Sequence, residues 1–150
     1  MSVNNPIGEY DFVIQSKDSK SKIIFTFVEL EVEHLSSINY IVNIIDRGFS
    51  GEVDVWIEQE VLNDFIEKFK EANNKRAEVL NLRSMSPEEM EVRFISQKNG
   101  RCEIAYSVKR SGYSENTFVE TLLKGAFEMD SEFLHLLEEK MKEINKMLRV

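Results

Sequence analysis

One cysteine, Cys102, stands in a chain of 150 residues. No intramolecular disulfide framework can form, and a reducing compartment fits that usage. Long hydrophobic runs are missing as well. The longest nearly apolar stretch, Ile23 to Val28, is far shorter than the roughly 20 residues a membrane-spanning helix requires. The first residues, Met1-Ser2-Val3-Asn4-Asn5-Pro6, carry no basic residue and lead into no apolar segment, so no signal peptide is expected and a cytoplasmic location is. Basic residues are in the minority: 19 Lys and Arg face 27 Asp and Glu, for a net charge of −8. A nucleic-acid binder needs a basic stripe to meet phosphates, and an anionic membrane surface would repel this chain, so neither partner is expected.

Catalytic and metal-binding patterns are equally scarce. His34 and His135 are the only histidines. Neither lies at ligand spacing from a second His or a Cys, and no H-E-x-x-H or C-x-x-C occurs. Gly48-Phe49-Ser50-Gly51 lacks the spacing of a nucleophile elbow and reads as a connection between strands. There is no Gly-rich phosphate loop. Cys102 alternates with Ile104, Tyr106 and Val108, which places it on an apolar face rather than beside a base. The chain is therefore expected not to be an enzyme and to use no cofactor and no metal.

Core-forming residues are ample: 42% of the chain is hydrophobic, with ten Phe, and a chain of this length buries about 70% of its unfolded surface. Tyr10 to Gln15 reads as a short strand and Ser16 to Ser21 as a polar turn. Lys22 to Glu33 reads as a strand with Val28, Leu30 and Val32 on one face and Glu29, Glu31 and Glu33 on the other. Ile38 to Ile45 is a β-branched run. In Glu52 to Glu58, Val53, Val55 and Ile57 oppose Glu52, Asp54, Trp56 and Glu58. At Gln59 the period lengthens to that of a helix, with Val61, Leu62, Phe65, Phe69 and Ala72 on one face and Asn73-Asn74 as its close. Strand patterning returns over Ala77 to Leu82, Met90 to Ile95 and Cys102 to Val108, with Pro87 and Asn99-Gly100 between them. Thr117 to Met129 reads as a strand broken by Gly125. Asp130-Ser131 caps a last helix whose apolar face is Phe133, Leu137, Met141, Ile144 and Leu148. The expected fold is α+β: one single domain over 1–150, residues 1–8 a loose arm. Its expected sheet is mainly antiparallel and strongly twisted, of about 7–8 strands, with one middle and one C-terminal helix.

Negative charge is concentrated. Residues 1–60 hold eleven acidic and four basic side chains, a net of −7, while the remaining ninety hold 16 acidic and 15 basic. Two of the strands place a carboxylate at every second residue, about 6.6 Å apart along one face. Two readings of such a patch stay open: it attracts basic surfaces and speeds encounter with them, or it is only the solvated outer face of a soluble sheet. The candidate partner-binding residues are therefore Glu29, Glu31, Glu33, Glu52, Asp54, Trp56 and Glu58. Trp56, the only tryptophan, has two dispositions open to it. It is an exposed anchor ringed by carboxylates, or it is packed beneath a helix.

From Asn39-Tyr40-Ile41 through Gly48-Phe49-Ser50-Gly51 the sequence resembles the WapI-type immunity proteins. The resemblance continues through Leu62-Asn63-Asp64-Phe65, the strands between Ala77 and Val108, and Phe118 to Asp130, and covers roughly residues 20–148. Tyr40 stands where that family more often has Trp, and no interface residue carries over from its motifs. The resemblance implies a small cytoplasmic bacterial antitoxin that neutralises the toxin domain of a contact-dependent antibacterial protein. With the acidic face, the implied partner is a protein, a basic, nuclease-type toxin domain that the chain would occlude. The alternatives are a small-ligand-binding protein or enzyme with a pocket between sheet and helices, and a homo-oligomeric structural subunit.

Overall fold

The computed structural model describes residues 8–33, 36–72, 79–86, 88–96, 101–129 and 131–148, without the side chains at 69–72, 131–135, 145 and 148. Residues 1–7, His34, Asn73-Asn74, Pro87, Asn99-Gly100 and Asp130, and the side chains of Phe69, Phe133, His135 and Leu148, lie outside that description.

Alternation of apolar and polar residues builds β1 (Phe12–Gln15), β2 (Ser21–Glu31), β3 (Ser37–Asp46) and β4 (Phe49–Glu58). The change of period at Gln59 starts α1 (Gln59–Ala72). Then come β5 (Val79–Arg83), β6 (Met90–Ser96), β7 (Cys102–Ser114), β8 (Thr117–Met129) and α2 (Ser131–Leu148). The α+β class holds, but the expectation of one sheet of about 7–8 strands needs correction. The eight strands form two antiparallel sheets of four, ordered β1-β2-β3-β4 and β5-β6-β7-β8. Within each sheet every strand pairs with its sequence neighbour, and α1 separates β4 from β5, so the meander is interrupted there. The open edge of β4 meets a loop instead: Met85 N–H donates to the Trp56 carbonyl at 2.7 Å. At the far edges a single antiparallel bridge, Ser16 to Met129, touches β1 to β8.

The two sheets share one core. Ile23, Phe25, Tyr40, Val42, Val55 and Ile57 from the first sheet join Leu82, Val92, Phe94 and Ile104 from the second, with Leu62 and Phe65 of α1 and Leu137 and Met141 of α2. Cys102 belongs to this cluster, and burial pushes its thiol up to about 11. Trp56 lies opposite Val53, Val55 and Ile57, on the outer face of β4.

A polar clamp ties the sheets at one end. Asp46, at the end of β3, accepts hydrogen bonds from Ser21 Oγ at 2.7 Å, Arg47 Nε at 2.9 Å and the Tyr106 hydroxyl of β7. Burial works against ionisation of this carboxyl, but the three donors outweigh it and hold it below the usual carboxylate range. Gly125 makes the clamp possible. It pairs with Tyr106 across β7 and β8, and a Cβ there would stand 2.5 Å from the tyrosine oxygen. The sequence suggests that Gly125 breaks the last strand. In fact β8 runs unbroken from Thr117 to Met129, and the glycine serves as the slot for the Tyr106 ring. Similarly, Gly48-Phe49-Ser50-Gly51 is not all connection. The turn is Arg47-Gly48, both at positive φ (48° and 99°), and Phe49 already pairs with Asp46.

Candidate functional site

A one-residue irregularity assembles the candidate site. Down β2, Ile23, Phe25 and Phe27 pair with Ile44, Val42 and Tyr40 and turn inward. Continued without interruption, that register would set Glu29 opposite buried Ile38. Instead the register shifts between Phe27 and Glu29, so Glu29 pairs with Asn39, Leu30 with Ile38 and Glu31 with Ser37. Val28 is the extra residue. It is 44% exposed, and Val32, beyond the strand, is 59% exposed. The expected Val28-Leu30-Val32 inner face therefore shrinks to Leu30, which packs against the core. The bulge turns both glutamates of β2 outward.

β3 then carries this face across to β4. Asn39 pairs with Glu29 on one side and Trp56 on the other; Ser37 pairs with Glu31 and Glu58. Because neighbouring strands lie about 4.8 Å apart, the carboxylates of β2 and those of β4 stand roughly 10 Å apart across β3. Glu29, Glu31, Asp54 and Trp56 line one cleft of about 540 Å³, whose other wall is Ser84, Met85, Ser86 and Glu89 from the β5–β6 connection. Ser84 pins that wall: its N–H donates to the Met90 carbonyl at 3.0 Å, and its hydroxyl accepts from Met90 N–H at 3.1 Å. Beneath the cleft the Asn39 amide donates to Asp54 Oδ1, and to the Val55 carbonyl at 2.9 Å. Asn39 is buried, so these bonds fix the floor.

Trp56 is half-buried on this outer face and is one of the residues lining the cleft. It is neither fully exposed nor sealed in the core. Of the other candidates, Glu58 shares the face beside Ser37, and Glu52 lies further along it, opposite Asn43. Glu33 is not brought in. β2 ends at Glu31, and Glu33 lies past the strand, its N–H donating to Glu31 Oε1 at 2.8 Å. The sequence reading missed Glu89, because the 84–89 segment looked only like an interruption. Local periodicity carries no sign of the long-range contact that folds it against Trp56.

Among the described residues, no lysine or arginine makes an ion pair with Glu29, Glu31, Glu52, Asp54 or Glu58. The second sheet behaves oppositely. There Lys109 reaches Glu88 at 3.1 Å and Glu120 at 3.6 Å, and Arg101 reaches Glu128 at 3.5 Å. A second groove of about 700 Å³ adjoins the cleft through Asp54, Met85, Ser86 and Glu89 and holds Lys109 and Arg110. Also among the described residues, no group of three or more His, Cys, Asp or Glu is arranged to hold a metal ion, and no helix is long and apolar enough to cross a membrane. In comparisons with known proteins, no family model, curated protein or solved structure matches the chain.

Proposed function

We propose that this chain is an immunity-like binding protein that neutralises a cognate basic toxin domain by occluding it, using the outer face of the first sheet. The observation that carries the reading is a set of carboxylates, without an ion pair among the described residues, gathered around a half-buried tryptophan in one cleft. A guanidinium or ammonium group entering the cleft meets acceptors from β2, β4 and the 84–89 wall, and can lie against the indole. Contacts of that kind contribute about 0.5–2 kcal/mol through the aromatic face alone. A cytoplasmic antitoxin needs such a surface, since domains that act on nucleic acid are themselves basic.

Binding rather than catalysis is supported by how the reactive groups are used. The Cys102 thiol is core, and the Asp46 carboxyl is committed to three donors. The test is co-expression with the polypeptide encoded by the adjacent reading frame, with toxicity and co-purification read together. Wild type should suppress toxicity and co-purify, with an association rate that falls as salt rises. Trp56→Ala should weaken binding about thirtyfold, equivalent to roughly 2 kcal/mol. Tight association that is indifferent to salt, to Trp56→Ala and to Glu29→Gln/Glu31→Gln would overturn the assignment.

A further inference from the structure

The second sheet ends in an arm. Beyond Lys109, β7 and β8 run on together to a two-residue turn at Glu115-Asn116, with Ser114 paired to Thr117. On this arm Tyr113 is 75% exposed, Phe118 54% and Leu122 56%, although the first two rings pack edge to face at 5.4 Å. β8 is also an edge strand. Its last residues are covered, since Lys17 N–H donates to the Glu128 carbonyl at 3.0 Å and Arg47 Nη2 to the Ala126 carbonyl at 3.5 Å.

Those two bonds reveal the polarity of the edge. Carbonyls in a strand point to alternate sides, and β7 and β8 pair without a register shift. The backbone groups of Phe118, Glu120, Leu122 and Lys124 therefore point away from β7 as well, and among the described residues no backbone partner meets them. A long edge with exposed apolar side chains is a template for another strand. The side chains indicate which one.

We infer that two copies of this chain pair through β8, antiparallel about a two-fold axis at Leu122, joining their second sheets into one eight-stranded sheet. Only residues with outward backbone groups can face each other across such an edge, which leaves few two-fold registers. A register centred on Glu120 sets glutamate against glutamate, and one centred on Lys124 sets lysine against lysine. Of the intermediate ones, only that centred on Leu122 sets Glu120 against Lys124 of the second copy, and does so twice.

The neighbouring rows agree. On the outer face the Tyr113–Phe118 pair of one copy would lie beside the Ala126–Ala105 pair of the other, large against small. Leu122 would meet its own symmetry mate. Lys124 makes no ion pair among the described residues, whereas Glu120 has only a 3.6 Å contact with Lys109. The pairing ends at Phe118 against Ala126: the weak Arg47 contact to the Ala126 carbonyl gives way, while Lys17 keeps the Glu128 carbonyl, opposite the second copy's turn. This pairing uses a different surface from the Trp56 cleft and does not depend on its assignment.

Sedimentation or light scattering of the full chain across micromolar concentrations tests the inference. Wild type should approach twice the 17.5 kDa chain mass as concentration rises. Glu120→Lys alone and Lys124→Glu alone each place like charges together twice, and each should weaken self-association about tenfold or more. An equimolar mixture of the two variants should recover dimer, because a copy with lysine at both positions then faces a copy with glutamate at both. Glu120 and Lys124 are exposed, so both variants should fold, which the far-ultraviolet spectrum checks. A chain that stays monomeric, or dimers indifferent to both substitutions, or a mixture that recovers nothing, would overturn the pairing.

Discussion

Residues 8–58, which carry the first sheet, hold ten acidic and four basic side chains, while residues 79–129, which carry the second, hold seven of each. Both sheets have four antiparallel strands, and both turn alternate residues into the same core. Their difference lies on the outer faces. The first is acidic, with no ion pair on its cleft carboxylates among the described residues, and is hollowed around Trp56; the second is cross-linked by ion pairs and drawn out into an apolar-tipped arm. Inner positions decide whether the chain folds, because burial sets most of the free energy. Outer positions change stability little and can be given over to partners.

The largest effect tests whether the inner faces are equivalent. Ile57 and Ile104 are both 0% exposed, one in each sheet. Ile57→Ala and Ile104→Ala should each cost about 2–5 kcal/mol of stability. Trp56 fluorescence and Cys102 thiol protection should report one shared transition in either variant. Two separate midpoints would show that the sheets do not share a cooperative core.

An intermediate effect probes the clamp between the sheets. Tyr106→Phe removes one donor to Asp46 and should cost about 1 kcal/mol at neutral pH. The folded Asp46 carboxyl titrates below its ordinary value of 3.8, so its contribution is fully present above that value and is lost as pH falls through the lower folded one. Asp46→Asn should therefore flatten the acid limb of the stability curve relative to wild type. An unchanged limb would mean that the clamp contributes no charge-dependent stability.

The smallest effect separates the outer faces. Glu29→Gln with Glu58→Gln should leave stability within about 0.5 kcal/mol of wild type, or raise it, because like charges are being removed. Lys109→Gln should lower it, since Lys109 bridges Glu88 and Glu120. The same direction for both variants would erase the distinction drawn between the sheets.

Much of the fold was legible because each element answers to local periodicity. The α1 start at Gln59 and the β8 bounds at Thr117 and Met129 coincide with sites where the apolar spacing changes. What could not be read is long-range. No local pattern shows that α1 ends one sheet and begins another, or that Gly125 has Tyr106 across from it. The site was half legible. Carboxylate alternation picked out Glu29, Glu31, Asp54 and Trp56, but it could not show that the strands flank β3, that Glu33 falls outside, or that Glu89 completes the wall.

The register shift after Phe27 also decides where the chain can be shortened. Phe27 faces Tyr40 and Glu29 faces Asn39, so β2 holds one residue more than β3 has places for. Losing Val28 outright would leave every cross-strand partner where it stands, with the two glutamates still facing outward. Losing a residue between Ile23 and Phe27 would carry the preceding half of the strand out of phase instead. Position 28 is thus where this strand has slack, and where relatives one residue shorter could keep the same acidic face.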